Sequence, residues 1–226
     1  MVQGLEMMSK RLRPAAFLLV GLLLSACSSG DQLAPYRSVM GALGTILDPS
    51  GKKVAFPEPT RAQLDEDGRP ILRATILDRD ANALLVFVAR NGAVETWASV
   101  DGGSFSLRDG VVTQTRGLGP DLMSASIPSA SALARGAGEV RRVHYYLGPN
   151  DQTISLAFTC TLASQGAETV TISGLSYRTT RVSETCTGSG QSFRNLYWFQ
   201  SGSKIRQSVQ WIGPNVGKVA LFDLRR

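Results

Sequence analysis

The spacing of apolar residues changes along the chain and separates a helical stretch from a long β-rich part. Between residues 36 and 47, apolar residues recur three or four positions apart and therefore lie on one helical face. Pro35 suits a first helical position, and Asp48-Pro49-Ser50-Gly51 ends the pattern. The spacing predicts one N-terminal helix, which either fills the core of the domain or docks in a partner's groove. Its apolar face consists of Tyr36, Val39, Met40, Leu43, Ile46 and Leu47.

From residue 71 onward the apolar period changes to two, which is the period of a β-strand. Asn91-Gly92, Asp101-Gly102-Gly103 and Asp109-Gly110 are turn sequences between apolar runs, and they predict an antiparallel meander. Residues 57–70 predict an irregular connection, with the acidic run 65–67 in a solvated loop. Residues 121–138, rich in Ser, Ala and Gly, predict a loop with one helical turn near 131–135.

The second half of the chain continues as strands. Residues 154–162 alternate between apolar side chains and Thr, Ser or Ala, as in a half-buried antiparallel strand. We predict ten or eleven strands in all. Because a long meander must curl to cover its apolar face, the predicted fold class is mainly β. It is a large antiparallel meander sheet, curled into a half-barrel or open barrel around the one N-terminal helix.

The N-terminus has the pattern of a secretory signal peptide. Lys10, Arg11 and Arg13 precede the short apolar run 15–24. That run spans about 15 Å as a helix, half of a bilayer core, which argues against a transmembrane helix. Leu24-Ser25-Ala26-Cys27 resembles the lipobox of bacterial lipoproteins. The resemblance implies cleavage before Cys27 and acyl chains on that residue, and cleavage without a lipid is the alternative. Translation starts at Met1, Met7 or Met8.

This pattern divides the chain into a signal peptide (1–26), a lipidated tether (27–34) and a single β-rich periplasmic domain (35–226). Bacterial sorting retains lipoproteins in the inner membrane when aspartate follows the lipidated cysteine, whereas Ser28 follows here. The resemblance therefore implies an outer-membrane lipoprotein of a Gram-negative bacterium, held by N-terminal acyl chains and facing the periplasm. Without residues 1–26 the net charge is +4, spread without a basic block, so nucleic acid is not an expected partner.

The remaining cysteines, Cys160 and Cys186, predict one disulfide, because an exported domain folds in an oxidising compartment. Two buried free thiols are the alternative. Two cysteines and the single His144 do not fill a tetrahedral shell, so neither a metal nor another cofactor is expected.

No catalytic set is recognisable in the sequence. His144 lies on a predicted strand, and we interpret it as an exposed strand histidine. A Gly-x-Ser-x-Gly elbow and a phosphate-binding loop are both missing from the sequence. Glu184 lies two residues before Cys186, so both side chains are expected on the same side of one strand. We interpret Glu184 as a buried partner of an arginine, either Arg181 or Arg178. We therefore predict a protein that is not an enzyme.

Aromatic residues near the C-terminus offer a candidate binding surface. Tyr197, Trp198 and Trp211 lie on neighbouring predicted strands close to Gln210 and Arg206. Flat rings beside polar groups suit a glycan or a protein partner, whereas large aromatics on strands more often belong to a core.

Several segments in order resemble the YjbF/GfcB family of outer-membrane lipoproteins, associated with exopolysaccharide and group 4 capsule export. They include the lipobox, residues 112–122, Cys160, and Glu184 with Cys186. Residues 193–198 (Phe-Arg-Asn-Leu-Tyr-Trp) and 205–214 are the most specific. The resemblance implies a meander sheet curled around a helix, no catalytic residue set, and partners among the envelope proteins of polysaccharide export or the polysaccharide itself.

Three functions remain open on the sequence. The first is a non-catalytic accessory lipoprotein of exopolysaccharide or capsule secretion and assembly, which acts by binding protein or glycan partners. The second is a LolA/LolB-like carrier of lipid or lipidated cargo, which requires a hydrophobic cavity. The third is a polysaccharide-modifying hydrolase, which requires two acidic residues facing one cleft.

Overall fold

The computed structural model describes residues 58–225, which form one antiparallel sheet of twelve strands, two short α-helices and two single-turn 3₁₀ helices (Leu77–Arg79 and Pro149–Asp151). The helices are α1 (Arg61–Asp67) and α2 (Ala130–Ala134). The strands are β1 (Ile71–Ile76), β2 (Ala81–Asn91), β3 (Val94–Ala98), β4 (Ser104–Arg108), β5 (Val111–Arg116), β6 (Leu122–Ser126), β7 (Ala137–Leu147), β8 (Thr153–Ile172), β9 (Leu175–Gly188), β10 (Gln191–Phe199), β11 (Ile205–Gly213) and β12 (Gly217–Arg225).

The sheet is nearly closed into a barrel. Successive strands pair side by side around the sheet, and β12 pairs with β1, so the ends of the domain lie within the sheet. The opening lies between β5 and β6, which are adjacent without pairing as strands. The mainly β fold and its curled antiparallel meander are therefore confirmed.

Side chains bridge the opening between β5 and β6. The Leu122 amide donates to Thr115 Oγ1 over 3.0 Å. Gln210, on β11 across the interior, accepts from the Val112 amide and donates to the Gly110 carbonyl, both over 2.9 Å. These bonds satisfy backbone groups that a free sheet edge would leave unpaired.

Apolar side chains pack across the interior of the sheet in three clusters. One cluster holds Trp97 with residues of β1, β4 and β12, and a second joins α2 to β8, β9 and β10. The third is rich in aromatic rings and contains Phe158, Phe193, Trp211 and the two cysteines.

A fourth cluster lies on the outer face of the sheet. The β8–β9 hairpin has a register irregularity between Ser164 and Gly166, where Gly166 has a φ of +89°. Beyond this bend lies the hairpin arm, residues 167–180. The arm packs Val170 and Ile172 against the outer side of β1, β2, β10 and β12, and Leu64 of α1 joins the same cluster.

The structure corrects three sequence predictions. Within residues 57–70 it places α1, which starts at a capping box in which Thr60 and Gln63 bond to each other's backbone. The acidic run 65–67 therefore ends a helix. Within residues 121–138 it places the strand β6 where a loop was predicted, whereas α2, capped by Ser129, confirms the helical turn predicted near 131–135. The strand number is twelve because residues 122–126 form a strand that was predicted as loop.

The predicted helix of residues 35–48, the signal peptide, Cys27 and the tether lie outside the described residues. Within residues 58–225, no helix has the length and apolar character needed to cross a membrane.

Candidate functional site

One end of the sheet carries a cleft of about 1040 Å³, which we call the end cleft. The β5–β6, β7–β8, β9–β10 and β11–β12 connections surround it, and Gly-Pro sequences occur in three of these four connections. Its apolar lining includes Leu147 and Ile154, whose exposed fractions are 56% and 43%. Apolar surface of this kind beside Arg116 and Gln191 suits a partner that presents both apolar and hydrogen-bonding groups.

The wall of the end cleft is held by side chains that bond to loop backbone. Asp121 accepts from the amides of Gly117 and Leu118 over 2.9 and 3.1 Å. Arg79 donates to the carbonyls of Leu118 and Asn215 over 2.7 and 3.1 Å, which joins two of the connections. The end cleft is therefore largely formed before any partner binds.

His144 is buried next to Tyr146, which lines the end cleft, and 1% of the His144 surface is exposed. The interpretation as an exposed strand histidine is wrong. The imidazole stacks on Trp211 and Phe193, with ring centroids 5.6 and 6.2 Å away. Tyr146, which lines the end cleft, donates to the Ile212 carbonyl over 2.6 Å and lies 3.1 Å from His144 Nδ1.

The hydrogen bonds around His144 indicate its tautomer. Because the Tyr146 hydroxyl donates its hydrogen bond to the Ile212 carbonyl, His144 Nδ1–H is the donor to the Tyr146 oxygen. His144 Nε2 has no hydrogen-bond partner. Burial, and then the nearby Arg142, lower the pKa of His144 to about 3. The ring is therefore neutral at physiological pH.

Acidification below pH 7 will destabilise the domain through His144. The unfolded state takes up a proton near pH 6.5, whereas the folded state resists it down to about pH 3. Stability thus falls as pH falls, by about 2.5 kcal/mol between pH 7 and 4.5. Urea unfolding at several pH values measures this slope.

The control for this prediction is H144F, which keeps an aromatic ring in the cluster. Since His144 is the single histidine, the variant should lose most of the pH dependence between about pH 7 and 5, above the range in which carboxylates such as Asp65 and Asp67 take up protons. A slope that is the same in both proteins would contradict the assignment.

A buried polar network lies deeper inside the sheet, where Glu184 is fully buried and Arg142 is 2% exposed. Glu184 accepts from Arg142 Nε and Nη2 over 3.0 and 2.9 Å. Asn195 Nδ2 and the Tyr197 hydroxyl also donate to Glu184, over 2.7 and 2.9 Å. Glu184 is thus the buried partner of an arginine, but that arginine is Arg142.

The other two arginines considered for Glu184 lie elsewhere. Arg181 forms an ion pair with Glu168 over 3.1 Å, and Arg178 is exposed on the hairpin arm. Burial raises the pKa of Tyr197, which keeps its hydroxyl protonated for donation to Glu184. The network therefore holds β7, β9 and β10 together by satisfied hydrogen bonds.

The predicted disulfide between Cys160 and Cys186 is present, and it joins directly opposed residues of β8 and β9. Of the described residues, Cys160, Glu184 and Cys186 form the one group whose ligand atoms lie close enough together for a metal ion. The two sulfurs are bonded to each other and Glu184 is bound to Arg142, so these atoms are already engaged.

The predicted aromatic surface is wrong for four of its five residues. Tyr197, Trp211 and Gln210 face the interior of the sheet, and Trp198 lies beneath the hairpin arm. Their burial excludes them from contact with a glycan. The sequence does not show that both faces of β10 are covered, because the covering arm is about twenty residues away along the chain.

Arg206, the fifth residue of that predicted surface, is partly buried at the edge of the arm. It donates to Asp223 over 3.0 Å and its guanidinium lies 4.2 Å from the centre of the Tyr177 ring. It therefore fixes the hairpin arm to the sheet.

Two acidic residues do line one pocket, at the opposite end of the sheet. Glu95 and Asp109 border a polar pocket of about 430 Å³ together with Arg90 and Lys204. Glu95 accepts from Arg90 over 2.5 Å and from Trp97 Nε1 over 3.3 Å, so its carboxylate is engaged within the protein.

Comparison with known families matches residues 52–224 to the family described as "Group 4 capsule polysaccharide lipoprotein gfcB, YjbF". This match covers most of the chain. The chain belongs to the YjbF family. The resemblance of residues 193–198 and 205–214 to that family is thereby confirmed at the level of the family, whereas the lipobox at residues 24–27 lies outside the matched range.

Among solved structures, this YjbF chain is similar to the hypothetical lipoprotein YmcC from Escherichia coli K12. The TM-score is 0.69 at 17% identity, over 88% of this chain and 98% of that one. This similarity shows a shared fold. A putative exported protein with a YmcC-like fold from Bacteroides fragilis matches at a TM-score of 0.37 and 12% identity, over 70% and 94% of the chains. No curated protein matches the chain.

Proposed function

We propose that this YjbF-family protein is a non-catalytic accessory lipoprotein of exopolysaccharide or capsule secretion, which acts by binding envelope proteins or the polysaccharide. The family match over residues 52–224 carries the proposal, since the family is described as a capsule polysaccharide lipoprotein. The buried Arg142–Glu184 network and His144 support it, because these titratable groups are enclosed by the fold and engaged in packing.

Membrane attachment is the second part of the proposal. Residues 1–26 are removed, and acyl chains on Cys27 hold the domain at the periplasmic face of the outer membrane. Two or more acyl chains give a stable anchor, whereas one chain gives a marginal one. Ser28, next to Cys27, supports transfer to the outer membrane.

The end cleft is the place we assign to a partner. It combines exposed apolar side chains with Arg116 and Gln191, and the bonds of Asp121 and Arg79 hold its wall in place. A preformed amphipathic cleft loses little entropy when a partner binds. A lipid carrier would place acyl chains in such a cleft, so the carrier remains the alternative.

Deletion of the gene tests the proposal. We expect less polysaccharide at the cell surface, restored by the wild-type gene and not by C27A, which loses the anchor. Unchanged surface polysaccharide in the deletion strain would refute the accessory role. Lipids that co-purify with the detergent-solubilised protein would instead favour the function of a lipid carrier.

A further inference from the structure

Hydroxyl side chains form an ordered array on the outer face of β8, β9 and β10. Two neighbouring rows run across the strands, because Thr161 pairs with Thr185, and Thr159 pairs with Thr187. Ser192 extends the second row by pairing with Thr187. Strands lie about 4.8 Å apart, and residues on one face repeat about every 6.8 Å along a strand. The threonine face is defined by Thr159, Thr161, Thr185, Thr187 and Ser192, all of which are exposed.

The hydroxyls of the threonine face are available for a ligand. Elsewhere in the sheet, cross-strand hydroxyls bond to neighbours, as Thr171 does to Ser176 over 3.1 Å and Thr75 to Asn82 over 2.7 Å. In the described part of the chain, the side chains of the threonine face make no such bond. Each therefore presents one donor and two acceptor positions to solvent.

Two arginines flank this array. Arg194 pairs with Thr185 at one end of the first row, and Arg141 pairs with Thr159 at the opposite end of the second. Both are exposed, and within residues 58–225 neither forms an ion pair. Glu139, beside Thr161, is the carboxylate of this area, which leaves the face with a net positive charge.

The part of the outer face on the other side of β10 differs in character. There, apolar side chains of β1, β2, β10 and β12 are covered by α1 and the hairpin arm. The threonine face has polar side chains and lies beside this covered region. Its chemistry suits a hydrated polymer that carries hydroxyl and acidic groups, rather than an apolar protein surface.

We propose that the threonine face binds an anionic polysaccharide. The hydroxyls exchange hydrogen bonds with sugar hydroxyl groups, and Arg141 and Arg194 pair with carboxylate or other acidic substituents. The inference rests on the proposed function, because it names the polysaccharide as a direct ligand of the protein.

Affinity electrophoresis of the full chain in detergent tests the proposal, with gels that contain alginate as an acidic polymer or dextran as a neutral one. We expect alginate to retard the wild type more than dextran does. R141Q/R194Q should weaken alginate binding about tenfold, since two exposed ion pairs are lost. T159V/T187V should weaken it about fivefold through lost hydrogen bonds.

The matched control is R135Q/R178Q, which removes the same charge from exposed positions outside the threonine face. Equal weakening by this control would show attraction to net charge alone and would overturn the proposal, as would equal retardation by dextran. If R141Q/R194Q restores surface polysaccharide to the deletion strain in full, the threonine face is not the glycan site, although the accessory function stands. An unaffected deletion strain would refute the function itself.

Discussion

Replacing Glu184 with glutamine is expected to lower the free energy of unfolding by about 3–5 kcal/mol, because Arg142 is then buried without a counter-charge. Glutamine keeps the size of the side chain, so little of the loss comes from packing. Asn195 and the Tyr197 hydroxyl also lose the charged acceptor of their hydrogen bonds. Urea unfolding of the two proteins at pH 7 measures the difference.

The control for Glu184 is E168Q. Glu168 also forms an ion pair with an arginine, Arg181, but both side chains are more than a third exposed. That substitution should cost less than about 1 kcal/mol. A second control, R142M/E184L, removes both buried charges and should recover part of the stability. A loss below about 1 kcal/mol in E184Q would show that the network does not stabilise the fold.

Removal of the disulfide is the second large effect. C160A/C186A should lower the free energy of unfolding by about 3.5 kcal/mol, because the unfolded chain then loses a cross-link that closes a loop of 26 residues. Both cysteines are fully buried, so alanine also leaves a small gap in the aromatic cluster. Unfolding curves with and without a reductant measure the effect.

A reductant provides the internal control for the disulfide. It should destabilise the wild type by a similar amount and leave C160A/C186A unchanged. The wild type is unfolded in the reductant and then refolded, so that the buried disulfide is reduced. If the unfolding curve of this reduced protein is not shifted, the cross-link contributes nothing to stability.

Much of the fold was predictable because it depends on local signals. Residues 154–162 alternate as predicted, and their apolar residues Phe158, Cys160 and Leu162 face the interior. The turn at Asn91-Gly92 and the pairing of the cysteines were also correct. These features depend on side-chain period, turn chemistry and the redox compartment, all of which a sequence displays.

The orientation of β7 was not predictable in the same way. Its alternation separates Val143, Tyr145 and Leu147 from Arg142, His144 and Tyr146, and the second, more polar set faces the interior. The polar groups of that set are stable inside because they have hydrogen-bond partners from distant parts of the chain. Arg142 bonds to Glu184, 42 residues away, and Tyr146 bonds to the Ile212 carbonyl, 66 residues away. A single strand's pattern does not contain those partners.

The candidate sites were the least predictable part. A turn is indicated by each of Gly119-Pro120, Gly148-Pro149 and Gly213-Pro214. Only the strand order of the nearly closed sheet shows that these turns surround one cleft. The threonine face likewise combines three strands whose polar residues each look like an ordinary solvent-facing side. By contrast, α1 had a visible signal, the capping box of Thr60 and Gln63 ahead of Leu64.

We propose that this YjbF-family protein assists polysaccharide secretion without modifying the polymer. The most direct test of this proposal is to measure both the amount and the sugar composition of surface polysaccharide. The strains compared are the parent, the deletion strain and the deletion strain complemented with the wild-type gene. We predict a fall in amount with an unchanged composition. An unchanged amount, or a polymer of altered sugar composition, would contradict this proposal.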